Sequence, residues 1–287
     1  MIDIAIIGAG PAGLSAAINI ASRNKRAVVF GNDITTSLLF PAENVNNYLG
    51  MPNMTGAAMM EGFVNHARQA GIEIKAGKVL QVLDMGGHFA LNVKDEFYEA
   101  KAIILATGIS KGKAVKGENE YLGKGVSYCA TCDGMLYKGK DVAVIGETEE
   151  AEEDANFLSE ICSKVYFIPQ YAVKNKLNEK LIMLEKKVKE VAGEKFVERL
   201  LFDEGEIEVK GAFFIKQNTP VASLVPGLEI EEGCIKINRL CETNVKGVFA
   251  AGDCTGWPFQ VANAVGEGLI AGQNAVRYCA SLPKTEG

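Results

Sequence analysis

Two cysteines separated by two residues are the part of this sequence best suited to chemistry. Cys129 and Cys132 lie in the letters CATCDG, within residues 125–137. A pair at this spacing can close a small, easily reduced disulfide, and nearby backbone and charges can lower one thiol pKa to give a reactive thiolate. Asp133 follows directly, and its carboxyl group could move the protons that reduction and reoxidation require. Alternatively, Asp133 could only form the turn before Gly134.

A zinc site is the alternative reading of a CxxC pair. A structural zinc site needs four Cys or His ligands, usually with a second closely spaced pair. The other cysteines of the seven, and both histidines, are scattered singly along the sequence. The sequence therefore predicts a redox dithiol and no metal site.

Length and composition limit the class of protein. A chain of 287 residues suggests one large domain or two of ordinary size, and 48% hydrophobic residues are enough for a substantial core. The net charge of -6 argues against a general nucleic-acid surface. We see no signal peptide, no run of about 18 apolar residues, and no disulfide framework among the cysteines. We expect a cytoplasmic protein with no membrane and no nucleic-acid partner.

The elements that must position the dithiol begin with a nucleotide-binding pattern. A short apolar run leads into GAGPAG at residues 8–13, then into a helix-like segment, and residues 28–30 suit the next strand. Strand, glycine turn, helix and strand within about thirty residues are typical of a dinucleotide-binding unit. Gly8 allows the tight turn, Gly10 lets backbone approach a pyrophosphate, and Gly13 lets the helix pack closely on the strand.

Two positions after neighbouring strands are candidates for the same ligand. The acidic ribose ligand often found at the end of the second strand is missing, and Asn32 or Asp33 could substitute for it. A buried strand at residues 102–106 ends in Thr107-Gly108. A turn of small residues there would give a ligand close access to the backbone.

The C-terminal part of the chain returns to this pattern. A strand at residues 247–251 ends in Gly252-Asp253, and a helix-like segment follows at residues 260–272. The Asp253 carboxylate could accept hydrogen bonds from the hydroxyls of a flavin's ribityl chain. It could instead cap the helix.

The middle of the chain repeats the strand-to-turn pattern, but its turn is unsuited to a phosphate. Residues 141–146 form an apolar strand that ends in Gly146, and Thr148 stands where the second glycine is required. Six acidic residues lie from Glu147 to Asp154, where a helix N-terminus would otherwise attract an anion. No arginine pair follows the next strand. We predict a second dinucleotide-type domain with a degenerate NADPH-type site.

Further along, residues 174–189 are rich in lysine and have a helical pattern. This segment is either a solvated helix face or a dock for an acidic protein. Residues 213–215 read as a strand leaving the middle domain, and residues 238–243 as the crossing back.

Together these segments resemble the low-molecular-weight flavin thioredoxin reductases over nearly the whole chain. The likeness is strongest at IAIIGAGPAGLSAA from Ile4, ILATG from Ile104, residues 125–146, and GVFAAGD from Gly247. It implies an α/β fold of two Rossmann-like dinucleotide-binding-type domains, the second inserted in the first. The implied domains are a discontinuous FAD-binding domain at residues 1–112 and 243–287, and a redox-disulfide domain at residues 113–242.

The resemblance also implies roles for individual residues. Cys132 would face the flavin, Cys129 would attack the thioredoxin disulfide, and Asp133 would be the proton donor. Val79 would meet the adenine. The residues expected at the FAD are Gly8, Gly10, Pro11, Ala12, Gly13, Asn32, Asn47, Val79, Thr107, Gly108, Gly252, Asp253, Gln260 and Val261.

The departures from that family are concentrated. The NADPH glycines and arginines are missing, the flavin loop usually reading Gly-Gly-Gln-Leu is Thr-Ser-Leu-Leu at residues 36–39, and Phe259 replaces an arginine. These features resemble the pyridine-nucleotide-independent branch, the ferredoxin-dependent flavin thioredoxin reductases of anaerobic clostridia. That branch implies a homodimer in which electrons pass from ferredoxin through FAD and the Cys129–Cys132 dithiol to thioredoxin.

Three rival functions remain open at this point. The chain could be an NADPH-dependent thioredoxin reductase, a diflavin-linked disulfide oxidoreductase, or a redox-sensing flavoprotein that does not turn over. For the ferredoxin reading, six lysines within residues 111–140 form a local basic stretch to which an acidic donor could dock.

Overall fold

The computed structural model describes residues 1–94, 96–109, 114–216 and 221–283. The helices are α1 (Pro11–Ala21), α2 (Gly56–Gln69), α3 (Ala130–Asp133), α4 (Glu150–Ile161), α5 (Val221–Leu224) and α6 (Val261–Ser281). The strands are β1 (Ile2–Ile7), β2 (Ala27–Gly31), β3 (Glu73–Ala76), β4 (Val79–Asp84), β5 (Phe89–Val93), β6 (Glu96–Leu105), β7 (Val126–Ser127), β8 (Asp141–Gly146), β9 (Lys164–Pro169), β10 (Leu181–Met183), β11 (Glu190–Ala192), β12 (Arg199–Leu201), β13 (Glu206–Glu208), β14 (Gly211–Ile215), β15 (Ile230–Glu231), β16 (Cys234–Ile235) and β17 (Val248–Ala250).

The chain divides into an outer unit, Met1–Ser110 with Pro220–Gly287, and an inserted unit, Lys111–Thr219. In the outer unit the sheet has the order β3-β2-β1-β6-β5-β4, and β17 pairs with the second half of β6. Strands β3, β2, β1, β6 and β17 run parallel, whereas β4, β5 and the first half of β6 are antiparallel. The central parallel strands β1, β2 and β17 are mostly apolar and buried, as the N-terminal pattern predicts, whereas the edge strand β3 carries Glu73 and Lys75.

Close packing of α1 on α6 brings the two ends of the chain together. A Cβ at Gly268 would lie 2.2 Å from the carbonyl oxygen of Ala12, and one at Gly272 would lie 2.9 Å from that of Ala16. These small residues, four apart on each helix, let the two backbones approach. The first turn of α1 therefore lies against α6 at Gly268.

In the inserted unit the main sheet is parallel and has the order β10-β9-β8-β14-β7. Strand β8 stands between β9, which follows it through α4, and β14, which comes much later in the chain. This is the arrangement of a doubly wound dinucleotide-type sheet, whose crevice lies at the carboxyl ends of β8 and β14. A small antiparallel sheet, β11-β12-β13, completes the unit. The predicted α/β class with two Rossmann-like domains is confirmed.

The second boundary between the units differs from the prediction. Residues 221–242 belong to the outer unit, although the sequence places them in the inserted domain. Their apolar side chains complete the outer core: Leu224, Val225 and Ile235 are buried in one cluster with Leu105 and Val248. The described residues from Val221 onward therefore already belong to the outer unit, so the predicted return at residues 238–243 comes too late.

The helix predicted over residues 174–189 is wrong. This segment is irregular and contains only β10. Side chains of α4 accept the backbone N–H groups that a helix would need: the Glu152 carboxylate accepts from Lys174 at 3.0 Å, and the Asn156 side chain accepts from Asn178 at 2.8 Å. Such acceptors draw the backbone away from helical hydrogen bonding. Within the described ranges, we find no helix with the length and apolar character needed to cross a membrane.

Candidate active site

Cys129 and Cys132 form a disulfide at the start of α3, with their Cα atoms 5.3 Å apart. Strand β7, held by pairing with β14, delivers Cys129 to the carboxyl edge of the inserted sheet. Cys129 is the N-cap of α3, and its Sγ accepts the backbone N–H of Cys132 at 3.1 Å. Cys132 is exposed and Cys129 is half-buried. A hydrogen-bond donor aimed at a sulfur at a helix N-terminus favours its thiolate form once the disulfide opens.

Asp133 is tied to this disulfide through a serine. The Ser127 hydroxyl lies 2.7 Å from Asp133 Oδ2 and accepts the backbone N–H of Cys129 at 3.1 Å. The backbone N–H of Asp133 reaches the Cys129 carbonyl at 3.3 Å. The carboxyl group is therefore held next to the thiol pair, as a proton donor must be.

The N-terminus of α4, where a dinucleotide would place its phosphates, is occupied by the chain's own groups. Glu149 forms an ion pair with Lys174 at 2.5 Å. Glu152 is fully buried and accepts the backbone N–H groups of Lys174 and Asn175. Burial acts to raise the pKa of Glu152, but these hydrogen bonds outweigh it and lower the pKa. The charged Glu152 carboxylate thus holds the segment after β9 against the N-terminus of α4. Its negative charge at this position disfavours binding of an anion.

The glycine turn of the outer unit has the shape of a phosphate cradle. Gly8 has φ +118°, and a Cβ there would lie 2.0 Å from the carbonyl oxygen of Ala106. A Cβ at Gly13 would lie 2.0 Å from the Gly8 carbonyl oxygen, so the helix needs glycine at that position. At Gly10, by contrast, no described atom lies within 4 Å of the Cβ position, and no side chain caps α1. Pro11 has no N–H group, so the backbone donors of the first turn begin at Ala12 and Gly13, and they border open space that fits a pyrophosphate.

Gly252 and Asp253 lie against the same end of α1. A Cβ at Gly252, where φ is +81°, would lie 2.8 Å from the Ala12 Cβ. Glu267 fixes this turn, because its Oε2 accepts the Gly252 N–H at 2.7 Å and the Thr255 hydroxyl at 2.8 Å. Burial, with the charge of Glu267, raises the pKa of Asp253. Among the described residues we find no hydrogen-bond donor to the half-buried Asp253 carboxylate, which fits an acceptor for ligand hydroxyls.

Five other expected ligand residues lie at this edge. The Asn47 side-chain amide donates to Gln260 Oε1 at 2.7 Å, which joins a loop after β2 to the N-cap of α6, just before Val261. The hydroxyl of Thr107 is buried without an oxygen or nitrogen partner in the described part of the chain, and lies beside the Cys254 thiol. Gly108 follows with φ +67°.

The ribose and adenine candidates have other surroundings. Asp33 is exposed and accepts the backbone N–H of Thr35 at 2.9 Å, and this hydrogen bond lowers its pKa. Asp33 is thus the cap of a short helical turn, which leaves Asn32, half-buried beside it, as the ribose candidate. Val79 is buried at the start of β4 within the outer core.

Comparison with known proteins agrees with this geometry. The family model described as pyridine nucleotide-disulphide oxidoreductase matches residues 2–268. The chain belongs to the pyridine nucleotide-disulphide oxidoreductase family. It is 33% identical to a thioredoxin reductase of Bacillus subtilis, over 99% of this chain and 96% of the relative.

Two solved structures of family members are also similar. A ferredoxin-flavin thioredoxin reductase from Clostridium acetobutylicum matches with a TM-score of 0.88 and 46% identity, over 96% of both chains. An atypical thioredoxin reductase from Desulfovibrio vulgaris matches with a TM-score of 0.78 and 29% identity, over 99% of this chain and 100% of that one. The resemblance found in the sequence is confirmed.

As a family member of this architecture, the chain is a flavin-dependent disulfide oxidoreductase with a redox-active Cys129–Cys132 disulfide. Its cofactor is FAD. The cradle at Gly8, Gly10 and Asp253 fits that cofactor on the shape and donor grounds given above. In the segments that the structure describes, we find no three Cys, His, Asp or Glu side chains grouped to hold a metal ion.

Sequence reasoning missed two residues that organise the site. Ser127 connects Asp133 to Cys129, and its signal is only a small polar residue in a buried strand before the CxxC pair. Glu267 holds the Gly252 turn, and its signal is the single acid in a glycine-rich helix whose other charged residue is Arg277. Such a charged side chain is expected where buried donors require an acceptor, as the Gly252 N–H and the Thr255 hydroxyl do here.

Proposed function

We propose that this enzyme is a thioredoxin reductase that takes electrons from reduced ferredoxin and does not use NADPH. The observation that carries the proposal is the carboxylate-filled N-terminus of α4, where Glu152 and Glu149 hold the segment that would receive a nucleotide. The similar ferredoxin-flavin enzyme of Clostridium acetobutylicum supports the choice of donor. When bound, FAD supplies the chemistry that joins a one-electron donor to two-electron thiol exchange.

FAD would be held by the outer unit. The glycine turn at Gly8 and Gly10, together with the first turn of α1 at Gly13, would take the pyrophosphate. Asp253 would accept hydrogen bonds from ribityl hydroxyls, and the linked side chains of Asn47 and Gln260 would border the cofactor.

The dithiol would perform the exchange with thioredoxin. The Cys129 thiolate attacks the thioredoxin disulfide, forms a mixed disulfide and releases one thioredoxin thiolate, to which Asp133 gives a proton. The Cys132 thiolate then attacks Cys129 Sγ, so that the second thioredoxin sulfur leaves and the Cys129–Cys132 disulfide closes. In the oxidised form Cys132 is more exposed than Cys129. For Cys129 to attack thioredoxin, its sulfur must therefore become more accessible when the disulfide is reduced.

A surface for thioredoxin follows the disulfide directly. Met135 and Leu136 are 59% and 68% exposed. Two large apolar side chains exposed together beside a reactive disulfide suit contact with another protein. We assign this pair to the thioredoxin-facing surface.

The direction of electron flow is favourable. A low-potential iron–sulfur protein near about −400 mV lies about 130 mV below a thioredoxin near about −270 mV, or roughly 6 kcal/mol for two electrons. Ferredoxin therefore needs no nucleotide as an intermediary.

One lysine of the basic stretch proposed for donor docking has an acidic partner in the structure. Lys111 and Lys113 lie outside the described residues. Lys116 pairs with Glu190 at 2.9 Å, which offsets its charge. In the described part of this stretch, the lysines at 124, 138 and 140 are exposed and available to an acidic donor. An acidic donor attracted there should bind less well as salt rises, since exposed charges are screened beyond about 10 Å at 0.1 M.

Anaerobic mixing of the purified protein with NADPH or with reduced ferredoxin tests the donor. We expect the flavin absorbance to bleach with ferredoxin only. Rapid bleaching by NADPH would favour the NADPH-dependent alternative, and recovery of two flavins per chain would favour the diflavin-linked one. A redox sensor would reduce thioredoxin once per molecule and then stop.

The family resemblance also leads us to propose a homodimer. Light scattering at micromolar concentration should give twice the mass of the 30.8 kDa chain. A monomer under these conditions would contradict this part of the proposal without affecting the reaction.

A further inference from the structure

A buried carboxylate in the inserted unit joins three separate segments of chain. Glu118 is 0% exposed. Its Oε2 accepts the backbone N–H of Val115 at 2.8 Å. Its Oε1 accepts the Tyr128 hydroxyl at 2.7 Å and lies 2.5 Å from the Lys216 ammonium nitrogen. These three contacts are internal to the inserted unit, and Lys216 is itself only 9% exposed.

The three segments are the first described part of the inserted unit, the stretch next to the disulfide, and the last described part of the unit. Val115 and Glu118 are among the first described residues of the inserted unit, and Lys216 is the last described residue before the chain leaves it. Tyr128 precedes Cys129 directly. The network therefore connects the residue next to the disulfide with both chain crossings of the unit.

The buried ion pair and its hydrogen bonds hold these three segments together. A buried charge is strongly unfavourable unless it is paired and hydrogen-bonded, so the ion pair between Glu118 and Lys216 stabilises both buried side chains. The Lys216 ammonium also lies over the rings of Tyr128 and Phe214, 5.7 and 5.6 Å from their centres. Burial, with the neighbouring Glu118 charge, raises the pKa of Tyr128, so its hydroxyl keeps its proton and remains a donor.

We propose that Glu118, Lys216 and Tyr128 are positioning residues for the dithiol, which fix Cys129 relative to both crossings of the inserted unit. None of them touches a sulfur atom in the bonds described. They act through the backbone from Tyr128 to Cys129, whose Sγ must stay aligned with the Cys132 N–H. A small displacement of reacting groups lowers the rate of a step without changing partner binding. The turnover part of the test rests on the proposed function; the thiol part does not.

Tyr128→Phe is the main variant, because it removes one hydroxyl and keeps the buried ring. The double variant Glu118→Gln/Lys216→Met removes both charges together. The matched control is Lys116→Met, which breaks the exposed pair with Glu190 near the same crossing. Each protein is purified with FAD bound. We measure the pH profile of iodoacetamide alkylation of the dithiothreitol-reduced dithiol, kcat and KM for thioredoxin, and the thermal midpoint.

We expect Tyr128→Phe to move the alkylation midpoint of Cys129 to higher pH by about half a unit, because misalignment weakens the thiolate's hydrogen bond. Turnover should fall by about three- to tenfold with an unchanged KM, as for a misplaced reacting group. The control should match the wild type. An alkylation profile identical to wild type in a folded Tyr128→Phe protein overturns the proposal, whatever the turnover. If the double variant does not fold, Tyr128→Phe decides alone. If the wild type fails to turn over thioredoxin, the proposed function is wrong. The alkylation profile still decides whether Glu118, Lys216 and Tyr128 position the dithiol.

Discussion

The Ser127 hydroxyl lies 2.7 Å from the carboxylate of Asp133 and accepts the backbone N–H of Cys129. One buried serine thus places an acid beside the cysteine that begins the disulfide. The turn-forming role that the sequence also allows for Asp133 does not require this contact. The geometry favours a proton-transferring role.

Asp133→Asn should slow thioredoxin reduction by about a hundredfold or less, as for loss of one proton-transfer group. Ser127→Ala should slow it by a smaller factor, because the carboxyl group remains but is no longer held. Steady-state rates across pH measure both effects. Rates for Asp133→Asn that equal the wild type at every pH would return Asp133 to a structural role.

Cys129→Ser and Cys132→Ser should each abolish turnover and leave FAD bound, because neither can close the intramolecular disulfide. If Cys129 is the attacking thiol, only Cys132→Ser should accumulate a mixed disulfide with thioredoxin, visible by non-reducing electrophoresis. Cys162→Ser is the control: burial, then the charge of Asp141, raises the pKa of Cys162 to about 11, so this thiol stays protonated. A trapped complex with Cys129→Ser instead would reverse the order of attack.

Gly10→Ala should weaken FAD binding by at least about tenfold while the apoprotein stays as stable as wild type. No described atom lies within 4 Å of a Cβ at Gly10, so a methyl group there would obstruct only a ligand. Gly62→Ala, at an equally open and exposed position of α2, is the control and should bind FAD normally. Fluorescence titration of the apoprotein with FAD gives both affinities. Normal affinity in Gly10→Ala would place the pyrophosphate elsewhere.

Asp253→Asn should stabilise the apoprotein at pH 7 and weaken FAD binding by about tenfold, as for loss of a charged hydrogen-bond acceptor. Burial and Glu267 raise the pKa of Asp253 in the folded state, so its charged form opposes folding above its unfolded pKa of about 3.8. The stability difference should therefore shrink as pH falls through the raised value and vanish below about 3.8. Urea unfolding at several pH values measures it. A variant less stable than wild type at pH 7 would contradict the assignment.

Much of the architecture could be predicted from local pattern. The GAGPAG turn, the apolar strands and the CxxC pair each carry their information in a short window, and the structure places them as expected at sheet edges. The loss of the phosphate-binding pattern in the second glycine turn could also be predicted, because Thr148 and the acids that follow it are local features of the sequence.

Predictions failed where long-range contacts decide the structure. Residues 174–189 have helical periodicity, yet Glu152 and Asn156 on α4 capture their backbone donors. Residues 221–242 belong to the outer unit, earlier in the chain than predicted, because Leu224 and Ile235 are buried in the core of that unit. The Glu118–Lys216 pair joins residues almost a hundred positions apart, and no window of sequence contains both.

The central claim is best tested by catalytic turnover with defined donors. Under anaerobic conditions, photoreduced ferredoxin, the enzyme and a hundredfold excess of oxidised thioredoxin are mixed, and free thioredoxin thiols are counted over time, with NADPH replacing ferredoxin in a parallel reaction. We predict many turnovers per enzyme with ferredoxin and none with NADPH. Turnover with NADPH, or thioredoxin that stays oxidised in the presence of ferredoxin, would contradict the account.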